Sequence, residues 1–366
     1  MWMLAGIVVL LSLLVGACGP EPTAKPAEPT TPPAEEKTKI AFVYVGPVGD
    51  AGWTWAHDQG REYLENELDV ETAYIESVPE GADSERVIED YAKQGYKIIF
   101  TTSFGYMDPT ITVAQNYPET YFEHCSGYKT ADNVSTYFGR MYQPRYLSGI
   151  VAGNATQSNI IGYVAAFPIP EVVRGINAFT LGVRSVNPNA EVRVVWTNTW
   201  YDPVKERQAA EGLLDQGADV ITQHQDTTEP QEAAKERGVW GVGYDADMRA
   251  IVGDAVLTSP VWNWGPYYVA RSKAAIDGSW KTHQYWGGMA DGVVDLADFS
   301  PLVTDETKAL VEQKQEEIIS GAWDVFYGPI NDQDGNLRVP EGESLTDEEM
   351  LGMDWFVEGV VGTIPK

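Results

Sequence analysis

The chain has 366 residues, too many for one ordinary hydrophobic core and well suited to two. Its 25 Lys and Arg against 54 Asp and Glu give a formal net charge of −29, which excludes nucleic acid as a partner and an anionic membrane surface as an electrostatic anchor. A hydrophobic share of 43% is that of an ordinary soluble body, and the acidity is read as a solubility feature.

Residues 1–17, MWMLAGIVVLLSLLVGA, carry no charged side chain and are short for a membrane span, so they read as a signal peptide. The run ends Val15-Gly16-Ala17-Cys18. Small residues before a cysteine resemble the bacterial lipobox, which implies that Cys18 is diacylated and begins the mature chain. Residues 18–38 are expected to form a lipidated tether. Pro20, Pro22, Pro26, Pro29, Pro32 and Pro33 deny this stretch helix and sheet hydrogen bonds, leaving an extended spacer of about 3.1 Å per residue. Lipid at one end and a globular body at the other predict an extracytoplasmic domain held off the cell membrane. Cys125 is the other of the two cysteines, so the body forms no internal disulfide and the thiol is expected to be a small buried apolar group.

From Lys39 onward short apolar strands alternate with helices. Strands are expected at 40–45, 70–76, 97–102, 121–124 and 134–138, with helices at 53–68 and 84–94. After a helix at 144–156 the rhythm restarts. Strands follow at 160–165, 192–197, 219–223 and 239–244, separated by helices at 172–186, 204–216 and 231–237. Further helices are expected at 262–277 and 307–319. This alternation predicts parallel sheets covered by helices on both faces, in two doubly wound α/β lobes joined by a hinge. The lobes are expected to be discontinuous: residues 39–138 plus 257–281 form lobe one, and 139–256 plus 282–366 form lobe two with its C-terminal tail. Residues 332–336, DQDGN, lack the full spacing of a calcium loop and read as a turn.

No Gly-x-Ser-x-Gly, His-Glu-x-x-His or Cys-x-x-Cys motif is present. His57, His124, His224 and His283 lack metal-ligand spacing and read as ordinary polar residues. No catalytic residue, cofactor or metal is expected. The Gly-rich turn after the first strand lacks the Lys-Ser/Thr of a phosphate loop, and Asp50 sits where a phosphate would. Asp50 is read instead as a cap for the next helix, leaving room for an uncharged ligand.

Ligands in open α/β sheets bind outside the carboxyl ends of the strands. At those ends this sequence places Trp53, then Ser103, Phe104 and Tyr106, then Phe167, then Asn198 and Trp200, then His224, Gln225 and Asp226, then Asp245. Flat aromatic faces with a few acceptors suit a planar, nitrogen-bearing heterocycle. Trp53 and Trp200 are expected to stack on it from opposite lobes. Asp245 and Gln225 are expected to meet its N–H and carbonyl groups. Phe104, Tyr106, Phe167, Asn198 and Asp50 complete the set read from strand ends.

The same segments carry a family resemblance. IAFVYVGPVGDAGWTWAHDQG, YLSGIVAG, IGYVAAFPIPEVVRGINAFTLGVRSVNP, WTNTWYDPVKERQAAEGLLDQGADVI, GYDADM and LTSPVWNWGPYY occur in the order found in the BMP ("basic membrane protein") substrate-binding lipoproteins, and the likeness runs from Lys39 to about Leu296. It implies a ribose-binding-type periplasmic fold that delivers a purine nucleoside or base to an ABC permease. Trp53-Thr54 stands at the family's Phe-Asn pair, Trp200 at its second aromatic, and Asp245 at its acidic G-x-D position. In the segment Gly288-Met289-Ala290-Asp291-Gly292, Asp291 is a further implied contact. Ala290 there replaces a lysine that nucleoside binders often carry, which implies a bare base. Two alternatives are a receptor that presents its ligand to a membrane sensor and an exported nucleoside-processing enzyme. The latter has no visible nucleophile or acid–base pair.

Overall fold

The structure is a computed structural model and describes Lys37–Lys366. The signal peptide, Cys18 and nearly all of the tether lie outside the described residues.

The chain opens with β1 (Thr38–Val43), α1 (Trp53–Glu67), β2 (Val70–Ile75), α2 (Ala82–Lys93), β3 (Ile98–Thr101), a single 3₁₀ turn, α3 (Met107–Ala114), β4 (Tyr121–Cys125) and β5 (Val134–Gly139). It continues through α4 (Tyr142–Ala155), β6 (Ile160–Ala165), α5 (Pro170–Val186), β7 (Glu191–Trp196), α6 (Pro203–Asp215), β8 (Val220–His224), α7 (Glu229–Glu236) and β9 (Trp240–Gly241). Then come α8 (Arg249–Val252), β10 (Pro260–Trp262), α9 (Gly265–Asp277), β11 (Gln284–Gly287), β12 (Val294–Leu296) and α10 (Asp305–Ile319). The tail holds β13 (Ile330–Asn331), β14 (Leu337–Val339), α11 (Asp347–Leu351) and β15 (Val360–Val361).

Two parallel sheets organise these elements. One runs β11-β5-β4-β3-β1-β2 and the other β15-β7-β6-β8-β9. Ile98, Ile99, Phe100 and Thr101 of β3 are all fully buried, as a central parallel strand covered on both faces must be. The chain passes between the sheets three times: after β5, after β9 and after β11. Within these passages β10 and β12 pair with each other, antiparallel, with Trp262 opposite Val294. On the second sheet α4 and α5 touch backbone to backbone, because a Cβ on Gly149 would fall 2.1 Å from the Phe179 carbonyl oxygen. On the first sheet α9 lays Tyr268 against Phe42 and Phe100, with ring centroids 5.1 and 4.5 Å away.

Several expected boundaries need correction. Residues 282–366 do not all belong to the second lobe, since β11 pairs with β5 of the first sheet. A helix packed on one sheet returns its chain to a parallel strand of that sheet, and α9 does so. Residues 284–287, QYWG, hid this strand because they show neither an apolar run nor clean alternation. The helix expected from 262 begins at Gly265, where Pro266 sets its first turn, and Trp262 lies in β10. Helix α3 was not anticipated; its Pro109 falls in the first turn, where proline is tolerated. The DQDGN turn forms as expected. The Asp332 carboxylate accepts the N–H groups of Asp334 and Asn336 at 3.1 and 2.9 Å and Arg338 Nε at 2.9 Å.

A buried ionic network fastens α9 to the first sheet. Glu123, on β4, is fully buried and accepts from Arg271 Nε at 2.6 Å, Trp280 Nε1 at 2.7 Å and the Tyr267 hydroxyl at 2.7 Å. Arg271 also donates to Ser135 Oγ and the Lys281 carbonyl. Removing one member of such a pair strands the other charge in the core. Arg271→Met is expected to lower the unfolding free energy by about 3–5 kcal/mol in urea titration; a loss near that of an exposed ion pair would show that Glu123 does not depend on it.

Candidate functional site

The carboxyl ends of both sheets open on a narrow cavity, with about 350 Å³ of space between the atoms when open solvent is included. Its walls are Val45, Trp53, Ser103, Phe104 and Ser126 from the first sheet's strand ends, and Glu171, Trp200, His224, Asp226, Tyr244 and Asp245 from the second's.

Trp53 is the first residue of α1. Asp50 builds that start: its carboxylate accepts the N–H groups of Gly52, Thr54 and Trp55, each at 2.9 Å, satisfying donors a helix leaves open at its first turn. The Trp53 ring is then fixed by Nε1 donating to the Thr102 carbonyl at 2.6 Å and by edge contacts with His57 and Trp262, at 4.3 and 5.5 Å between centroids. Trp200 lies on the loop between β7 and α6. Its ring leans on Phe167 at 5.0 Å and on His224 at 6.4 Å. The two lobes meet closely beside it. A Cβ on Gly52 would stand 2.5 Å from the Asp226 carbonyl oxygen, so this approach requires glycine. The Ser126 hydroxyl, at the end of β4, donates to Glu171 at the start of α5.

The cavity is rich in carboxylates with unused acceptors. Asp245 adopts a left-handed φ of 66° and accepts Trp262 Nε1 at 2.6 Å on Oδ1, while its Oδ2 has no protein partner. Asp226 Oδ2 also lacks one. Burial, reinforced by neighbouring carboxylates, pushes both pKa values well above the usual range. Burial pushes Asp50 up to about 6 against the pull of its three backbone donors. His224 is held down to about 4, chiefly by burial, despite Glu171 Oε1 lying 3.5 Å from Nε2.

Of the expected contacts, Trp53, Trp200, Phe104 and Asp245 line the cavity. Phe167 stands behind Trp200, and Asp50 supports the loop that carries Trp53. The remaining four are not among its lining. Tyr106 is buried in the first lobe and donates to the Val78 carbonyl. Asn198 is exposed and turns the chain at φ 54°. Asp291 is exposed and accepts the Gly288 N–H at 2.8 Å, closing a tight turn that also contains Ala290. Gln225 is buried, with Nε2 donating to Thr197 Oγ1 at 2.6 Å. Side chains alternate along extended chain, so His224 and Asp226 face the cavity while Gln225 between them does not. Sequence reasoning passed over Ser126 and Glu171, although applying the strand-end rule to β4 would have found Ser126. Among the described residues no group of three or more His, Cys, Asp or Glu is arranged to hold a metal ion.

Two doubly wound lobes linked by three passages, with their strand ends facing across a cavity, are the fold of the periplasmic-type binding proteins. Residues 37–325 match the family described as "ABC transporter substrate-binding protein PnrA-like", and the chain belongs to that family. It is 48% identical over 334 residues to a purine-binding protein of Brucella abortus (strain 2308), covering 91% of this chain and 95% of that one. It is 46% identical over 333 residues to a putative ABC transporter glucose-binding protein of Haloferax volcanii, covering 90% and 82%. The crystal structure of an ABC transporter solute-binding protein from Aeropyrum pernix K1 aligns with a TM-score of 0.70 over 86% of this chain and 98% of that one, at 21% identity, a likeness of fold alone. The protein is therefore an extracytoplasmic solute-binding component that serves a membrane permease, not an enzyme. No helix among the described residues is long and apolar enough to cross a membrane.

The buried carboxylates set a pH dependence for the empty protein. Their folded pKa values are raised, so the folded state binds more protons than the unfolded chain as the pH falls toward the ordinary carboxylate range. The stability from Asp50 is fully present below about pH 4 and is lost as the pH rises through about 6. Asp226 and Asp245 act in the same direction. Four histidines, held low chiefly by burial, act in the opposite direction, so the carboxylate contribution is read by difference: Asp226→Asn is expected to raise the thermal midpoint of ligand-free protein more at pH 8 than at pH 5. A gain that is equal at the two pH values contradicts the assignment.

Proposed function

We propose that the protein captures a purine base between its lobes, stacked on Trp53 and Trp200, with Asp226 and Asp245 accepting ring and amino N–H groups. The observation that carries this reading is the pair of unpartnered carboxylate oxygens on residues lining a narrow aromatic cavity. A buried acceptor without a donor is costly, and a heterocycle that brings two donors removes that cost. The purine-binding relative supports the same class. A wider space that shares Phe104, Ser126 and Glu171 adjoins the cavity, so base and nucleoside are told apart by their measured affinities. The turn containing Ala290 is not part of its lining.

Isothermal calorimetry with adenine, guanine, xanthine and their nucleosides tests the reading. Trp200→Ala is expected to weaken binding of the preferred purine by about 2–4 kcal/mol, combining the lost stacking with the lost apolar burial. Equal affinity in variant and wild type would remove Trp200 from the site. Glucose belongs in the same panel, because the Haloferax relative is named for it and aromatic faces beside carboxylates also suit a sugar. Glucose binding without purine binding would replace the purine reading.

We further propose that the body is tethered to the membrane through a lipid on Cys18. Cys18→Ser is expected to move the protein from the membrane fraction to the soluble fraction after ultracentrifugation. Retention unchanged from wild type would contradict the anchor.

A further inference from the structure

Asp226, two residues beyond β8, lines the ligand cavity and is only 3% exposed. No described residue donates a hydrogen bond to its carboxyl group, and Oδ2 is fully enclosed. The donors around it are committed elsewhere. The open N–H groups at the start of α1, which approaches the Asp226 backbone at Gly52, go to Asp50. The N–H and the hydroxyl of Thr227, the next residue, both go to Glu206. Trp262 Nε1 goes to Asp245. Among the cavity's own walls, Trp53 donates to the Thr102 carbonyl, Ser103 to Glu80 and Ser126 to Glu171.

The charges that face Asp226 are of its own sign. Asp50 stands before α1, Glu171 on α5, Glu206 on α6 and Asp245 beyond β9, and each adds to the effect of burial in raising its pKa. The two cations behind the cavity, Arg145 and Arg174, act on Asp245 and Glu171. His224 is held down to about 4 and is uncharged at neutral pH. Tyr201 faces the same acids, which raise its pKa and keep its hydroxyl protonated. A carboxylate given neither donors nor a counter-charge in a desolvated space takes up a proton. It then presents an O–H donor beside a C=O acceptor.

We propose that Asp226 meets the solute as a neutral carboxylic acid, its O–H donating to a lone pair of the solute while its C=O accepts an adjacent N–H. The residue thereby selects a solute edge on which a donor stands beside an acceptor. The amino group and ring nitrogen of adenine form such an edge, as do N1–H and the carbonyl of hypoxanthine. An edge of two adjacent N–H groups, which suits an ionised carboxylate, leaves the acid O–H unpaired, and an unpaired buried donor is costly. A neutral Asp226 also adds no further charge to a cavity already walled by Glu171 and Asp245. The inference rests on the purine reading of the cavity and deepens it.

Calorimetry with adenine and hypoxanthine on the wild type, Asp226→Asn and Asp226→Ala, at pH 6 and pH 9, tests the assignment. Comparing the proteins at one pH cancels any ionisation of the base itself. The asparagine amide keeps a donor beside an acceptor and does not ionise, whereas alanine offers neither. At pH 6 the asparagine variant is expected to bind the preferred base about tenfold more tightly than the alanine variant. Between pH 6 and pH 9 the wild type is expected to lose affinity relative to Asp226→Asn, as its acid ionises. An asparagine variant that binds no more tightly than the alanine variant would overturn the proposal. So would a wild type that holds or gains ground on Asp226→Asn as the pH rises, the latter being the behaviour of a carboxylate that binds in its ionised form. Absence of binding of both bases to the wild type at both pH values removes the purine reading, and this inference with it.

Discussion

Asp226 sits in the field of Asp50, Asp245, Glu206 and Glu171, and burial together with these neighbours drives its carboxyl toward the neutral form. Each of the surrounding acids has been given donors by the fold. Asp50 takes the open N–H groups of α1, Asp245 takes Trp262, Glu171 takes Ser126, and Glu206 takes the Thr227 N–H. Asp226 Oδ2 and Asp245 Oδ2 are left over. Concentrating acids in a desolvated space is unfavourable unless something supplies donors or protons. The cleft is therefore electrostatically incomplete by itself, and a ligand with N–H groups completes it.

The fold delivers that arrangement because every strand of a parallel sheet points the same way. Two such sheets facing each other bring their strand ends to one place, and the residue just past each strand becomes a wall of the cavity. The glycine at position 52 lets the first-lobe loop reach the Asp226 backbone. The passages between lobes are not loose linkers. β10 and β12 pair with each other, and Trp262 on β10 holds Asp245 while stacking on Trp264 at 4.5 Å. The hinge and the ligand site thus share side chains, so a change of lobe angle and a change at Asp245 are linked.

Most of the architecture was legible in the sequence because parallel strands buried on both faces read as short apolar runs, and KIIFTT and IIGYVA are such runs. The strands that were missed, β10 to β15, are edge, hinge or tail strands of two to four residues, too short to stand out as apolar runs or as alternation. The site was legible only at the level of which strand ends bear it. Trp53, Phe104, Trp200 and Asp245 follow from that rule, whereas choosing Gln225 over Asp226 required knowing the pleat of a single strand, a one-residue question that composition does not answer. Asp50 was rightly read as a helix cap. Asp291 came from a family segment whose turn here faces solvent.

The two aromatic walls differ in how firmly they are held. Trp53 is pinned by a hydrogen bond to Thr102, by the start of a helix and by a cluster of rings that reaches into the core. Trp200 stands on a loop and leans on Phe167 and His224. One lobe therefore acts as an anvil, and the other carries the part that can be reshaped. An incoming solute meets a surface already in its final position, so the ordering cost of closing falls on a single loop of the second lobe. Exchanging that loop is the least disruptive route by which such a scaffold could be retuned from one cargo to another.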